Sequence, residues 1–167
     1  MNEPVIVLDH LSKSFGDVHA VQDLSLTIAP GTIFGFLGPN GAGKTTTMRM
    51  LCGLTHPTGG HATIADADVW KDRQRVRTKF GYVPQRFSLY RDLTVLENFR
   101  FFGGAYGVPA RELEQRIERL LRLSDLEEKV NTAAGSLSGG MRQLLAIGCA
   151  LVHDPGRSRG VPRPRPR

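Results

Sequence analysis

The apolar positions of this chain change their spacing along its length. Val5-Ile6-Val7-Leu8 opens as a strand, and Leu24-Ser25-Leu26-Thr27-Ile28 alternates as a half-exposed antiparallel strand does. Ile33-Phe34-Gly35-Phe36-Leu37 is apolar nearly throughout, which predicts a strand buried on both faces, with Pro30-Gly31 turning the chain into it. Residues 44–54 predict a helix with Met48, Leu51 and Cys52 on one side, stopped near Gly53 and Pro57. His61-Ala62-Thr63-Ile64 and Phe80-Gly81-Tyr82-Val83 predict two more strands, with a short basic helix at 71–77 between them. Strand, crossover helix and strand in succession predict a parallel sheet with right-handed connections.

From Arg86 onward the pattern is helical. Thr94-x-x-Glu97 is a capping box that opens a helix running to about Tyr106. A second helix starts at Pro109, with Leu113, Ile117, Leu120 and Leu121 at helical spacing and Glu112–Arg116 and Glu118–Arg122 as i,i+4 pairs. A third runs from Ser138 to Val152. The fold class expected is α/β, with an antiparallel β part at the N-terminus and an inserted helical subdomain. The expected division is 1–85 for the β-rich part, 86–155 for the helical part, and 156–167 for a Gly/Arg/Pro/Ser tail, where alternate prolines oppose helix and ladder alike.

Charge alters the picture only at that tail. The net charge is +6, and five arginines (157, 159, 163, 165 and 167) lie in the last eleven residues with no acid among them. Subtracting five from +6 leaves +1 for residues 1–156, so no nucleic-acid partner is expected of the folded body. Cys52 and Cys149 are far apart in apolar contexts and read as small buried hydrophobes. No basic-then-apolar leader opens the chain, and no apolar run approaches the ~20 residues that span a bilayer. The expectation is a cytoplasmic protein whose membrane link comes through a partner.

Two stretches carry chemistry. Gly38-Pro39-Asn40-Gly41-Ala42-Gly43-Lys44-Thr45 fits G-x-x-x-x-G-K-[ST], followed by Thr46 in the helix. Its glycines admit positive φ and let backbone amides close around phosphate oxygens, with the helix dipole behind them. Lys44 supplies charge to the β- and γ-phosphates and Thr45 a hydroxyl to Mg²⁺. About 90 residues later, Leu137-Ser138-Gly139-Gly140-Met141 opens a helix with a hydroxyl and two glycine amides, an anion site by the same reasoning.

These motifs in this order resemble the ATP-binding subunits of ABC transporters, and the resemblance covers residues 4–155. Leu11-Ser12-Lys13-Ser14-Phe15-Gly16 is similar to the family's opening, which implies that Phe15 stacks on adenine. Gly81-Tyr82-Val83-Pro84-Gln85 resembles the segment whose glutamine touches Mg²⁺, implying that role for Gln85. The second motif matches the family signature, which faces the phosphate loop of a second nucleotide-binding subunit, so that two ATP molecules are sandwiched head to tail. The run from Gln85 to Asn98 looks most like bacterial multidrug or ABC-2-type exporter ATPases, where this face grips the membrane subunit. Phe99, Phe101, Phe102 and Tyr106 are candidates for that groove or, equally, for packing inside the helical part.

The chain departs from the family after His153-Asp154-Pro155. The family continues through a strand ending in Asp-Glu, an aspartate loop and a switch histidine, and none of these follows here. No catalytic residue is therefore assigned. The expectation is a chain cut short or frame-shifted after about residue 155. Leu144, where a basic residue is common, and Asp66, where Gly is usual, are smaller departures. Two functional readings stand side by side: an ATP-binding subunit coupling Mg-ATP to export through a membrane partner, and a non-hydrolysing remnant that binds nucleotide weakly or not at all.

Overall fold

The computed structural model describes residues 3–85 and 89–156, and the expected tail at 157–167 lies outside them. The described chain forms two compact units, residues 3–79 and residues 80–156. The α/β class is observed, with an antiparallel sheet in the first unit and helices in the second.

In the first unit, β1 (Ile6–Phe15) and β2 (Val18–Ile28) make a long hairpin around Gly16-Asp17, and β3 (Gly59–Ile64) and β4 (Ala67–Asp68) extend the sheet in the order β2-β1-β3-β4. Every pairing is antiparallel. The β3–β4 turn places Ala65 and Asp66 at φ of 46° and 61°, the primed geometry that suits a right-twisted hairpin. Such a turn suits glycine at position 66 and tolerates aspartate, whose short side chain accepts the left-handed region better than most. α1 (Lys44–Leu51) and α2 (Arg73–Arg77) complete the unit, and its core gathers Leu8, Leu11, Met50, Ile64, Ala67, Val69 and Val76. Gly53, at φ 65°, ends α1 three residues earlier than expected. Met48 is exposed, and Met50 fills the core position instead.

Two expected strands do not form. Residues 33–37 lie outside any strand, and Ile33 and Leu37 are 101% and 91% exposed. Residues 80–83 are likewise outside any strand. The expected parallel sheet is absent among the described residues. The physical reason is that an apolar run reports only a preference for a pleated, covered surface. A strand exists only when another strand takes its ladder bonds, and no such neighbour stands beside either segment among the described residues.

In the second unit, α3 (Val95–Ala105), α4 (Ala110–Leu123) and α5 (Gly139–Leu151) pack around Val95, Phe99, Leu113, Ile117, Leu121, Leu145 and Cys149. The capping box is complete: Glu97 N–H donates to Thr94 Oγ1 at 3.2 Å, and Thr94 N–H to the Glu97 carboxylate at 2.8 Å. Those Thr94 bonds also hold the Glu97 carboxyl below its ordinary range. Glycine sets the helix spacing, since a Cβ at Gly148 would lie 2.8 Å from the Phe99 ring. Phe99 is fully buried and belongs to this core. Phe101 and Tyr106 remain exposed, and Phe101 meets Tyr90 edge to face at 4.4 Å.

Candidate functional site

The phosphate-loop segment is seated by its last glycine. Gly43 caps α1 in the left-handed region, φ 79° and ψ 0°. A Cβ there would sit well inside contact distance of the Ala20 carbonyl oxygen and 2.9 Å from Val21 Cγ2, so the loop is pressed against β2 as only glycine allows. Thr47 clamps the same point from within: it is buried, and its N–H and Oγ1 donate to the Gly43 carbonyl at 2.8 and 3.1 Å. Gly41 is also left-handed, at φ 85°, but a Cβ there would meet nothing within 4 Å.

Lys44 folds back over the loop. Its Nζ donates to the carbonyls of Gly38 and Pro39, both at 2.6 Å, while Ala42 N–H closes the turn onto Pro39 at 3.3 Å. Pro39, Asn40, Gly41 and Ala42 are exposed, Thr45 is exposed in the first turn of α1, and Thr46 is half-buried. No side chain caps α1 and no acidic residue occupies its first turn. An ammonium and a helix's positive pole therefore share one exposed loop, which is the chemistry an anion requires.

Phe15 ends β1 and is 53% exposed, with Lys13 Nζ 4.8 Å from its ring centroid. A ring in that state retains surface for a flat partner. Gln85 lies in the second unit, exposed in a bend, and Arg86, Phe87 and Ser88 beyond it lie outside the described residues. Among the described residues no three His, Cys, Asp or Glu side chains are grouped closely enough to hold a metal ion. Thr45 presents its hydroxyl in the first unit, beside Lys44 in the first turn of α1.

The signature segment starts α5. Leu137 is buried and anchors it, and Ser138 is the N-cap, its Oγ accepting from Met141 N–H at 3.2 Å. Arg142 reaches back to the carbonyls of Leu137 and Gly135 and braces the approach. Gly139 and Gly140 are exposed and helical, and a Cβ on either would meet nothing within 4 Å. The chain's own packing does not require glycine at either position.

Thr47 and Arg142 escaped the sequence reading. A threonine three residues into a helix carries no signal of its burial, whereas a basic residue directly after the signature could have been read as a brace for its carbonyls. The cysteines behave as expected of buried hydrophobes: burial pushes the Cys52 thiol up to about 11 and the Cys149 thiol up to about 12.

Comparison with known proteins agrees with this geometry. The family model described as ABC transporter matches residues 21–156. The chain is 42% identical over 153 residues to the probable multidrug ABC transporter ATP-binding protein YbhF of Escherichia coli strain K12, covering 92% of this chain and 26% of that protein. It is 42% identical over 151 residues to the Nod factor export ATP-binding protein I of Cupriavidus pinatubonensis, covering 90% of this chain and 46% of that one. A solved structure titled as the ATP binding subunit of an ABC transporter superposes with a TM-score of 0.80 at 30% identity, over 90% of this chain and 63% of that chain. The chain thus spans less than half the length of the two curated relatives. The sequence match, the fold and the seated phosphate loop agree: this chain belongs to the ABC transporter ATP-binding family.

Proposed function

We propose that the chain binds Mg-ATP, with residues 38–46 around the phosphates, Phe15 against the adenine, and Thr45 and Gln85 toward Mg²⁺. The observation that carries this reading is the loop pinned to β2 through Gly43, with the Lys44 ammonium laid across it. When bound, Mg²⁺ would supply charge neutralisation between the phosphates. The chain's own part is to hold the loop backbone and present one ammonium and one hydroxyl.

The signature, residues 137–141, then serves the nucleotide of a second subunit. Exposed glycines that this chain's packing does not require are what a close approach by another molecule calls for. The link to a membrane runs through a membrane subunit on its cytoplasmic face, as the transporter family of this chain supports. Relatives named for multidrug transport and Nod factor export support coupling to export.

The second reading, a non-hydrolysing remnant that binds nucleotide weakly or not at all, is favoured by the exposure of Ile33 and Leu37, because the segment entering the loop pairs with no strand among the described residues. Titration calorimetry with Mg-ATP separates the two. Saturable binding that Lys44→Ala abolishes supports the first reading. Binding that is absent, or equal in Lys44→Ala, overturns it.

A further inference from the structure

The β1–β2 ladder slips register three times within a few residues, between Leu8 and Leu11, between Leu11 and Lys13, and between Lys13 and Ser14. His10 lies in the first slip at φ 49°, and Asp23 lies on β2 opposite the second at φ 48°. Both are left-handed, a region non-glycine residues occupy only when held there. Each is held by the opposite strand. His10 N–H donates to Ser25 Oγ and Asp23 N–H to Ser12 Oγ, both at 2.9 Å.

The two bulged side chains then meet, with His10 Nδ1 2.5 Å from Asp23 Oδ1. The row continues across β1 into β3. Asp9 Oδ1 lies 3.7 Å from His10 Nε2, and Asp9 Oδ2 lies 3.6 Å from His61 Nε2. Gly60, at φ 69°, admits this approach, since a Cβ there would overlap the carbonyls of Asp9 and His10. Carboxylate and imidazole alternate along three strands, and the grouping does not converge as a metal cage would. Asp68 on β4, the neighbouring carboxylate, accepts from the Trp70 and Lys71 N–H groups, both at 2.8 Å.

We propose that the row Asp23, His10, Asp9, His61 is a proton-operated stitch that ties β2, β1 and β3 together at the paired bulges. With the His10 imidazole protonated, Asp23 and Asp9 share a cationic neighbour and the bulges are held. With it neutral, the two carboxylates face one another across His10 uncompensated, and the bulged end of the hairpin loosens. The stitch acts on the hairpin that ends in Phe15, but it does not depend on nucleotide binding.

The sign follows from the partners. His10 is held above the ordinary histidine range, first by the hydrogen bond to Asp23 and then by the charges of Asp23 and Asp9. A histidine raised in the folded state contributes fully below its ordinary value of about 6.5. That contribution is lost as pH rises through the raised value.

The test is an NMR titration of the full chain without nucleotide, following the His10 ring and the exchange protection of the His10 and Asp23 amides. Asp23→Asn and His10→Asn are the variants, because asparagine tolerates the left-handed region and isolates charge from strain. The stitch predicts a His10 midpoint above 6.5 that falls in Asp23→Asn. It also predicts amide protection, corrected for intrinsic exchange, that drops through that midpoint in the parent and stays flat in His10→Asn. A parent midpoint at or below 6.5, a midpoint unmoved in Asp23→Asn, or protection that varies equally with pH in His10→Asn would each overturn it.

Discussion

Substituting alanine at Gly41 and at Gly43 separates two costs that a phosphate loop can carry. Both glycines are left-handed, at φ 85° and 79°. An L-residue there costs roughly 1–2 kcal/mol in either case. Only Gly43 adds an overlap, because its Cβ would drive into the Ala20 carbonyl oxygen and crowd Val21, where neither atom is the far end of a flexible side chain. Overpacking of that kind costs typically another 1–3 kcal/mol. Gly43→Ala should therefore lose roughly 2–5 kcal/mol against roughly 1–2 for Gly41→Ala. The chain can meet that cost in two ways: it keeps the loop and loses stability, or it lifts the loop off β2 and loses the site. Thermal melts and titration with a fluorescent ATP analogue read the two routes. A lifted loop appears as a tenfold or greater loss of affinity, since each ~1.4 kcal/mol is a factor of ten. Equal melting temperatures and equal affinities in the two variants would show that the loop is not seated on β2 as the geometry implies.

Asn98→Ala should destabilise the helical unit by about 2–3 kcal/mol in urea unfolding, because the buried amide accepts from Tyr90 N–H and donates to the carbonyls of Tyr90, Leu93 and Thr94. Asn98→Asp should be worse, since it turns a carboxylate oxygen toward those carbonyls, and an aspartate milder than alanine would refute the assignment. His153 stacks on Tyr106 at 3.9 Å, and burial lowers its pKa with help from Arg116, against the Phe80 backbone and Asp154. The unfolded chain therefore takes up the proton first, and stability should fall as pH drops below about 6.5. His153→Phe keeps the stack and should flatten that limb, whereas parallel pH–stability curves would show that His153 does not set it.

Legibility in the sequence followed the range of the interaction involved. The Thr94–Glu97 box and the Leu113, Ile117, Leu121 stripe are settled within one or two turns, so spacing alone revealed them. The glycines of the phosphate loop were legible as a motif, but the reason for Gly43 in particular was not. That reason lies on β2, more than twenty residues earlier in the chain. Residues 33–37 misled for the same cause: their apolar character was read correctly, and the partner strand it implied was not something five residues can encode. The bulged row from Asp23 to His61 was invisible because two left-handed residues, thirteen positions apart, only become neighbours once the register slips.

The bare segment before the loop has a consequence for how this chain behaves in bulk. Ile33-Phe34-Gly35-Phe36-Leu37 has no charge and no proline, and it offers ladder groups outside any strand among the described residues. Short uncharged apolar stretches of this kind pair with their own copies. The order of that encounter is at least two, so loss of single chains should accelerate with protein concentration while remaining slow at high dilution. The tether also sets the geometry of the damage: the segment runs directly into Gly38, so a chain captured by its neighbours is held at the very residues that would otherwise close around phosphate.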